Sequence, residues 1–83
     1  MNKTEREFYN DIRDAVSDWE CSFDCYHEDG YNGDRYFSID ITVEDDDADW
    51  DDVWNALEEV TDEWGAGIDS DCNEFEVSLN MSE

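Results

Sequence analysis

Apolar residues recur along this chain at two spacings, and the switches between them divide it into elements. Phe8, Ile12, Ala15, Val16 and Trp19 fall three or four apart, which predicts a helix over roughly 4–19, opened by a Thr4-x-x-Glu7 capping box. Cys21, Phe23 and Cys25 then alternate with Ser22, Asp24 and Tyr26, as in a half-buried strand. His27 to Asp34 contain the turn formers Asp29-Gly30 and Asn32-Gly33. Phe37, Ile39, Ile41 and Val43 alternate with Tyr36, Ser38, Asp40 and Thr42, the clearest strand in the chain. The stretch from Glu44 to Trp64 reads as a second helix behind an acidic loop, with Trp50, Val53, Trp54, Leu57, Val60, Thr61 and Trp64 as its apolar stripe. Asp45, Asp46 and Asp47 offer N-caps for it, and Gly65 is placed to close its other end. Ala66 and Ile68 suggest a short strand and Asp69 to Asn73 a turn. Phe75, Val77, Leu79 and Met81 alternate with Glu74, Glu76, Ser78 and Asn80 in a last strand.

The order is therefore αββαββ in a single acidic α+β domain over residues 1–83. The pattern predicts a four-stranded antiparallel sheet with two helices packed on one face, the other face being polar and acidic. A faint repeat at an offset of 45 residues maps Phe8, Ile12 and Trp19 onto Val53, Leu57 and Trp64, and Glu7, Asp14 and Asp18 onto Asp52, Glu59 and Glu63.

Charge changes this picture most. The 83 residues carry 27 acids against four bases, for a formal charge of −23. Such a balance first suggests disorder, but four Trp, four Tyr and four Phe on regular apolar faces can supply a core. The bases, Lys3, Arg6, Arg13 and Arg35, all lie in the first 35 residues; from Tyr36 onward there are 17 acids and no base. A compact chain of this length is roughly 30 Å across, and roughly 18 negative charges lie on 30 Å of duplex DNA. The chain matches or exceeds that charge.

The outward face of the second helix breaks the usual rules for helix charge. Asp51, Asn55, Glu58 and Asp62 form one row, with Asp52, Glu59 and Glu63 beside it. Acid followed by base four residues later stabilises a helix by about 0.2–0.5 kcal/mol, yet here Glu58 faces Asp62 and Glu59 faces Glu63. These acids also crowd the negative end of the helix dipole, where bases are favoured. On the first helix Glu7, Asp11, Asp14 and Asp18 make a further row, stepping about 4.5–6 Å along the axis. A local rule broken repeatedly without compensation points to function; the bland alternative is a solvated acidic face.

Catalytic and metal chemistry find little support. Asp45, Asp47 and Asp49 alternate, as do Asp69, Asp71 and Asn73, but a calcium loop of the EF-hand type needs Gly at its sixth position and Glu at its twelfth. Trp50 and Ala56 stand there in one case, Glu74 and Asn80 in the other. Cys21, Cys25 and His27 are too far apart along a strand for one tetrahedral zinc, and Cys21 and Cys25 are too far apart to bond each other. Three cysteines, with Cys72, fit small buried thiols of a reducing cytoplasm. A Cys–His nucleophile pair lacks an oxyanion or orienting partner, and no glycine-rich phosphate loop occurs. Direct nucleic-acid binding is opposed by charge. No apolar run is long enough to span a membrane, and Met1 to Phe8 is too charged for a secretion signal. The chain reads as a protein that is not an enzyme and needs neither cofactor nor metal.

In size and charge pattern the chain resembles the acidic DNA-mimic inhibitors of phage type, which block CRISPR effectors, restriction enzymes or other DNA-binding proteins. The acids of Asp45–Asp52 and Glu58–Glu63, with the Glu7–Asp18 row, carry the resemblance; no alignable motif does. It implies competition with duplex DNA for the basic surface of a host defence complex, a DNA-binding protein or nucleoprotein, in the cytoplasm of an infected bacterial or archaeal cell. Asp45, Asp46, Asp47, Asp49, Asp51, Asp52, Glu58, Glu59, Asp62 and Glu63 would face the Lys and Arg that normally hold phosphates, with Glu7, Asp11, Asp14 and Asp18 as a secondary set. Exposed Tyr26, Tyr31 or Tyr36 would supply apolar anchors. Two other readings fit the charge: an immunity protein neutralising a basic nuclease toxin, and a halophilic acidic domain without a dedicated partner. A halophilic surface should carry its charges evenly, whereas the bases here are confined to the first 35 residues, which fits the last of these poorly.

Overall fold

In the computed structural model, which describes residues 2–30, 33–71 and 74–81, the strongest alternating segment becomes the middle of the molecule. Helix α1 (Lys3–Ala15) is followed by strands β1 (Cys21–Asp29) and β2 (Arg35–Val43); helix α2 (Trp50–Trp64) is followed by β3 (Gly67–Asp71) and β4 (Glu74–Asn80). The fold is α+β. The four strands form one antiparallel sheet in the order β1-β2-β4-β3. That order reads the same when the two αββ halves are exchanged, so the halves meet along β2 and β4. Expectations resting on Tyr31, Asn32, Cys72 and Asn73 lie outside the described residues.

Alternation places Phe37, Ile39 and Ile41 of β2 and Phe75, Val77 and Leu79 of β4 on the helix side, and all six are buried. Phe8, Ile12 and Val16 come down on them from the first helical segment, and Val53, Leu57 and Thr61 from α2. Each such apolar side chain contributes roughly 1.5–3 kcal/mol of burial. The tryptophans of α2 ring this core without being sealed in it. Trp50 stacks on Phe75 with ring centres 4.1 Å apart, Trp54 lies 6.1 Å from the same ring, and Trp64 meets Phe8 edge-on at 5.4 Å. Tyr9 covers Phe23 on the edge strand β1. Among the described residues no helix is long and apolar enough to cross a membrane.

Several boundaries differ from the sequence reading, each for a local reason. The cap of the first helix lies two residues early, because Asn2 and Glu5 make the reciprocal cap that Thr4 and Glu7 were expected to make: Glu5 N–H donates to Asn2 Oδ1 at 2.8 Å and Asn2 N–H to Glu5 Oε1 at 2.9 Å. That helix ends at Ala15 rather than Trp19; Val16 leaves helical geometry and the Ser17 hydroxyl takes the freed Asp14 carbonyl at 2.9 Å. Asp49, not Asp45, Asp46 or Asp47, caps α2, accepting from Asp51 N–H at 2.9 Å. Asp45 instead turns the preceding loop by accepting from Asp47 N–H at 2.9 Å. Gly65 closes α2 as expected, in the left-handed conformation at φ 68°. β1 runs on through His27, Glu28 and Asp29, and Asp69, Ser70 and Asp71 pair with β4 instead of turning.

Candidate functional site

On α2 the two acidic rows stand about 100° apart around the axis, one residue's rotation, and the fold separates them. Glu59 and Glu63, of the row begun by Asp52, line a groove whose other wall is Asp11 and Asp14 of α1, over a floor of Ala15, Ala56 and Val60; its volume is about 460 Å³. The offset of 45 residues takes Asp14 and Ala15 onto Glu59 and Val60, so the two helices bring equivalent positions to one groove. The structure thus joins part of the primary set to part of the secondary set. Asp51, Glu58 and Asp62 form the exposed row away from this groove. Glu7 is exposed on α1, whereas Asp18 falls in the turn beyond that helix, so the Glu7–Asp18 row is helical only as far as Asp14.

The other predicted acids lie at the start of α2. Asp46 and Asp47 are exposed in the loop, and Asp45 and Asp46 border a second hollow with Val43, Ala48, Trp50 and Val53. Asp51 and Asp52 follow in the first helical turn, where the dipole stabilises them. Four predicted carboxylates also serve the fold. Asp45 and Asp49 hold backbone N–H groups. Glu58 Oε2 accepts from Trp54 Nε1 at 2.9 Å, and Asp11 Oδ2 from Trp64 Nε1 at 2.8 Å. Among the described residues Lys3, Arg6 and Arg13 form no ion pair with any of these acids. Arg13 lies over the Tyr9 ring at 5.7 Å instead.

A further acidic array was not singled out from the sequence. Strand register sets Asp24, Asp40, Glu76 and Asp69 side by side in one row across the open sheet face, one per strand. Alternation told that this face was polar; only the pairing aligns these four. Like charges directly opposite each other oppose sheet formation. Tyr26 sits on the adjoining row with its hydroxyl between Glu76 and Asp40, 3.2 Å from the latter, so it is half-buried and tied down rather than an exposed anchor. Hydrogen bonding to Glu76, then burial and the surrounding carboxylates, hold its phenol well above the ordinary range. Tyr36 is half-buried too, its ring against Gly30, where a Cβ would come within 2.5 Å of Cε2.

Burial pushes the Asp40 carboxyl above the ordinary range and Glu76, Glu74 and Asp24 add to the rise, outweighing the hydrogen bond from Tyr26. A carboxyl that binds its proton more tightly when folded costs stability at neutral pH, and the cost is relieved as pH falls through the folded pKa. Asp40→Asn keeps an oxygen for Tyr26 and removes repulsion from two facing neighbours. It should stabilise the fold at pH 7 by about 0.4–2 kcal/mol, at roughly 0.2–1 kcal/mol per pair. Urea melts at pH 7, 5 and 4 should show that advantage shrinking toward acid; an advantage independent of pH would refute the assignment.

On the helix side, Glu5 is buried and its Oε2 lies 2.6 Å from His27 Nε2. Burial raises this carboxyl, but the Asn2 N–H and His27 together outweigh it and hold it below the ordinary range. Cys21 and Cys25 are free, half-buried thiols. Burial pushes both up, reinforced by Asp45 and Glu44 at the first and by Asp24 at the second, which suppresses the reactive thiolate. Among the described residues no three His, Cys, Asp or Glu side chains are placed to hold a metal ion.

No protein-family model matches the chain, and neither a curated protein nor a solved structure matches it.

Proposed function

We propose that this protein is a DNA mimic: an inhibitor that occupies the basic DNA-binding surface of a host defence complex, a CRISPR effector or restriction enzyme, and competes there with duplex DNA. The observation that carries the reading is the match of charge to length. The molecule measures 40 × 24 × 20 Å and bears a formal charge of −23; about 24 negative charges lie on 40 Å of duplex at one per 1.7 Å. The body is longer than the sphere expected from chain length alone, and the added length improves the match. Asp46, Asp47, Asp51, Asp52, Glu59, Asp62 and Glu63 are exposed on or beside α2, and among the described residues Lys3, Arg6 and Arg13 form no ion pair with them. In this reading they meet the Lys and Arg that grip phosphates, and long-range attraction speeds the encounter.

Titration of the protein into a complex of a purified CRISPR effector or restriction enzyme with fluorescent duplex tests this directly. Duplex should be displaced, with an affinity that falls steeply between about 50 and 200 mM salt, as it does for phosphate contacts themselves. Binding that is equal at both salts, or a ternary assembly holding duplex and protein together, would sink the reading.

A further inference from the structure

A surface that only copied phosphates would need charge on a convex face. The groove between α1 and α2 has something more. Its walls are acidic, Asp11 and Asp14 facing Glu59 and Glu63, but its floor is the small apolar surface of Ala15, Ala56 and Val60. All three floor residues are half-buried, and the groove, of about 460 Å³, is open along the surface, so a side chain of a partner can lie in it. One wall is already set: Trp64 Nε1 fixes one oxygen of Asp11, leaving the other for a partner. Arg13, the base nearest in sequence to the α1 wall, is turned onto Tyr9 and does not neutralise the groove.

We propose that this groove takes arginine side chains of the basic partner, in preference to lysine. The assignment rests on reading the acidic helix faces as the partner-binding surface, and it names the side chain they select. An arginine stem laid on Ala15, Ala56 and Val60 buries its methylenes, while its head reaches the walls. The planar guanidinium presents its donors as a fork, suited to carboxylates spaced three and four residues apart on two facing helices. Lysine brings a compact, strongly hydrated ammonium that gains less from an apolar floor and cannot bridge in this way. The walls attract any cation, but only the guanidinium fork bridges them, and the apolar floor adds to the choice between the two.

The probe is a capped, alanine-based helical peptide with arginines four and seven residues after a first arginine, compared with its all-lysine counterpart by titration calorimetry on the intact protein at low salt. The arginine peptide should bind about tenfold more tightly, and the methyl resonances of Ala15, Ala56 and Val60 should shift on binding. Ala56→Leu fills the floor without changing charge and should abolish the preference while leaving weak, salt-sensitive attraction. Should that variant lose its native circular dichroism, Asp14→Asn, on an exposed wall position, carries the test and should reduce the preference. Equal affinity for the two peptides, or an arginine preference untouched by either folded variant, would overturn the proposal. The duplex-displacement assay run beside it separates the two readings. Displacement without arginine preference removes the groove and keeps the mimic, whereas preference without displacement does the reverse.

Discussion

Replacing Asp62 and Glu63 together by Lys is expected to raise the melting temperature and abolish competition with DNA in the same protein. Both side chains are exposed in the last turn of α2, which holds no base. The substitution turns the Glu58–Asp62 and Glu59–Glu63 repulsions into attractions, each worth a change of about 0.4–1 kcal/mol, and puts positive charge at the negative end of the helix dipole. For a domain of this size 1 kcal/mol shifts melting by roughly 4–8 °C, and the gain should shrink as salt rises. Against the partner, two charge-assisted contacts of about 1.5–3 kcal/mol each are reversed, a loss of about a hundredfold or more in affinity. Thermal melts and duplex displacement on one preparation decide the matter. A stabilised variant that still displaces duplex would mean a merely solvated face. One that is both less stable and fully active would count against the helix and the role together.

Phe75→Ala should have the largest effect on folding. The ring is fully buried in β4, stacked on Trp50 at 4.1 Å with 24° between planes, and close to Trp54. Truncation leaves a cavity beneath two indoles that are themselves only half-buried, at a cost of about 3–5 kcal/mol. A single core this small rarely supplies more than about 3–5 kcal/mol in all. The variant should therefore be largely unfolded at 37 °C by circular dichroism, with tryptophan emission shifted to the red. Phe75→Leu, which retains most of the volume, should remain folded. Melting of the Phe75→Ala variant within a few degrees of the parent would show that the α2 tryptophans do not depend on this ring.

The fold was legible because the periodicities of β2, β4 and α2 are unambiguous and each ends in strong punctuation, as with Gly65 after Trp64. Boundaries were not, wherever two residues offered the same chemistry. Asn2-x-x-Glu5 and Thr4-x-x-Glu7 both spell a capping box, and five aspartates between Asp45 and Asp51 compete for one cap. The hydrogen bonds of the folded chain settle them, on Asn2 for α1 and on Asp49 for α2. Trp19 kept the helical spacing but not the helix, which gives way at Val16, where the Ser17 N–H and hydroxyl both turn back to the Asp14 carbonyl. For the candidate surface, spacing revealed each acidic row on its own helix. That Asp11 and Asp14 face Glu59 and Glu63 depends on how the two helices lie together, and the Asp24-Asp40-Glu76-Asp69 row depends on register. Neither is written in any one segment. Tyr26 was misjudged for the same reason: alternation placed it outward, and its capture by Glu76 comes from a strand fifty residues away.

The Asp24-Asp40-Glu76-Asp69 row has a consequence for how molecules of this protein meet one another. It ends on both edge strands, β1 and β3, whose outer backbone groups are open to another strand. At neutral pH two copies approaching edge to edge must bring Asp24 or Asp69 of each into mutual repulsion, on top of the long-range repulsion between two bodies of charge −23. In a chain without proline, this charge is what guards the nine-residue β1 edge. Acid removes that guard while leaving the edge intact. Solutions should stay dispersed at neutral pH and gather into strand-paired aggregates as the pH approaches the isoelectric point near 4.1.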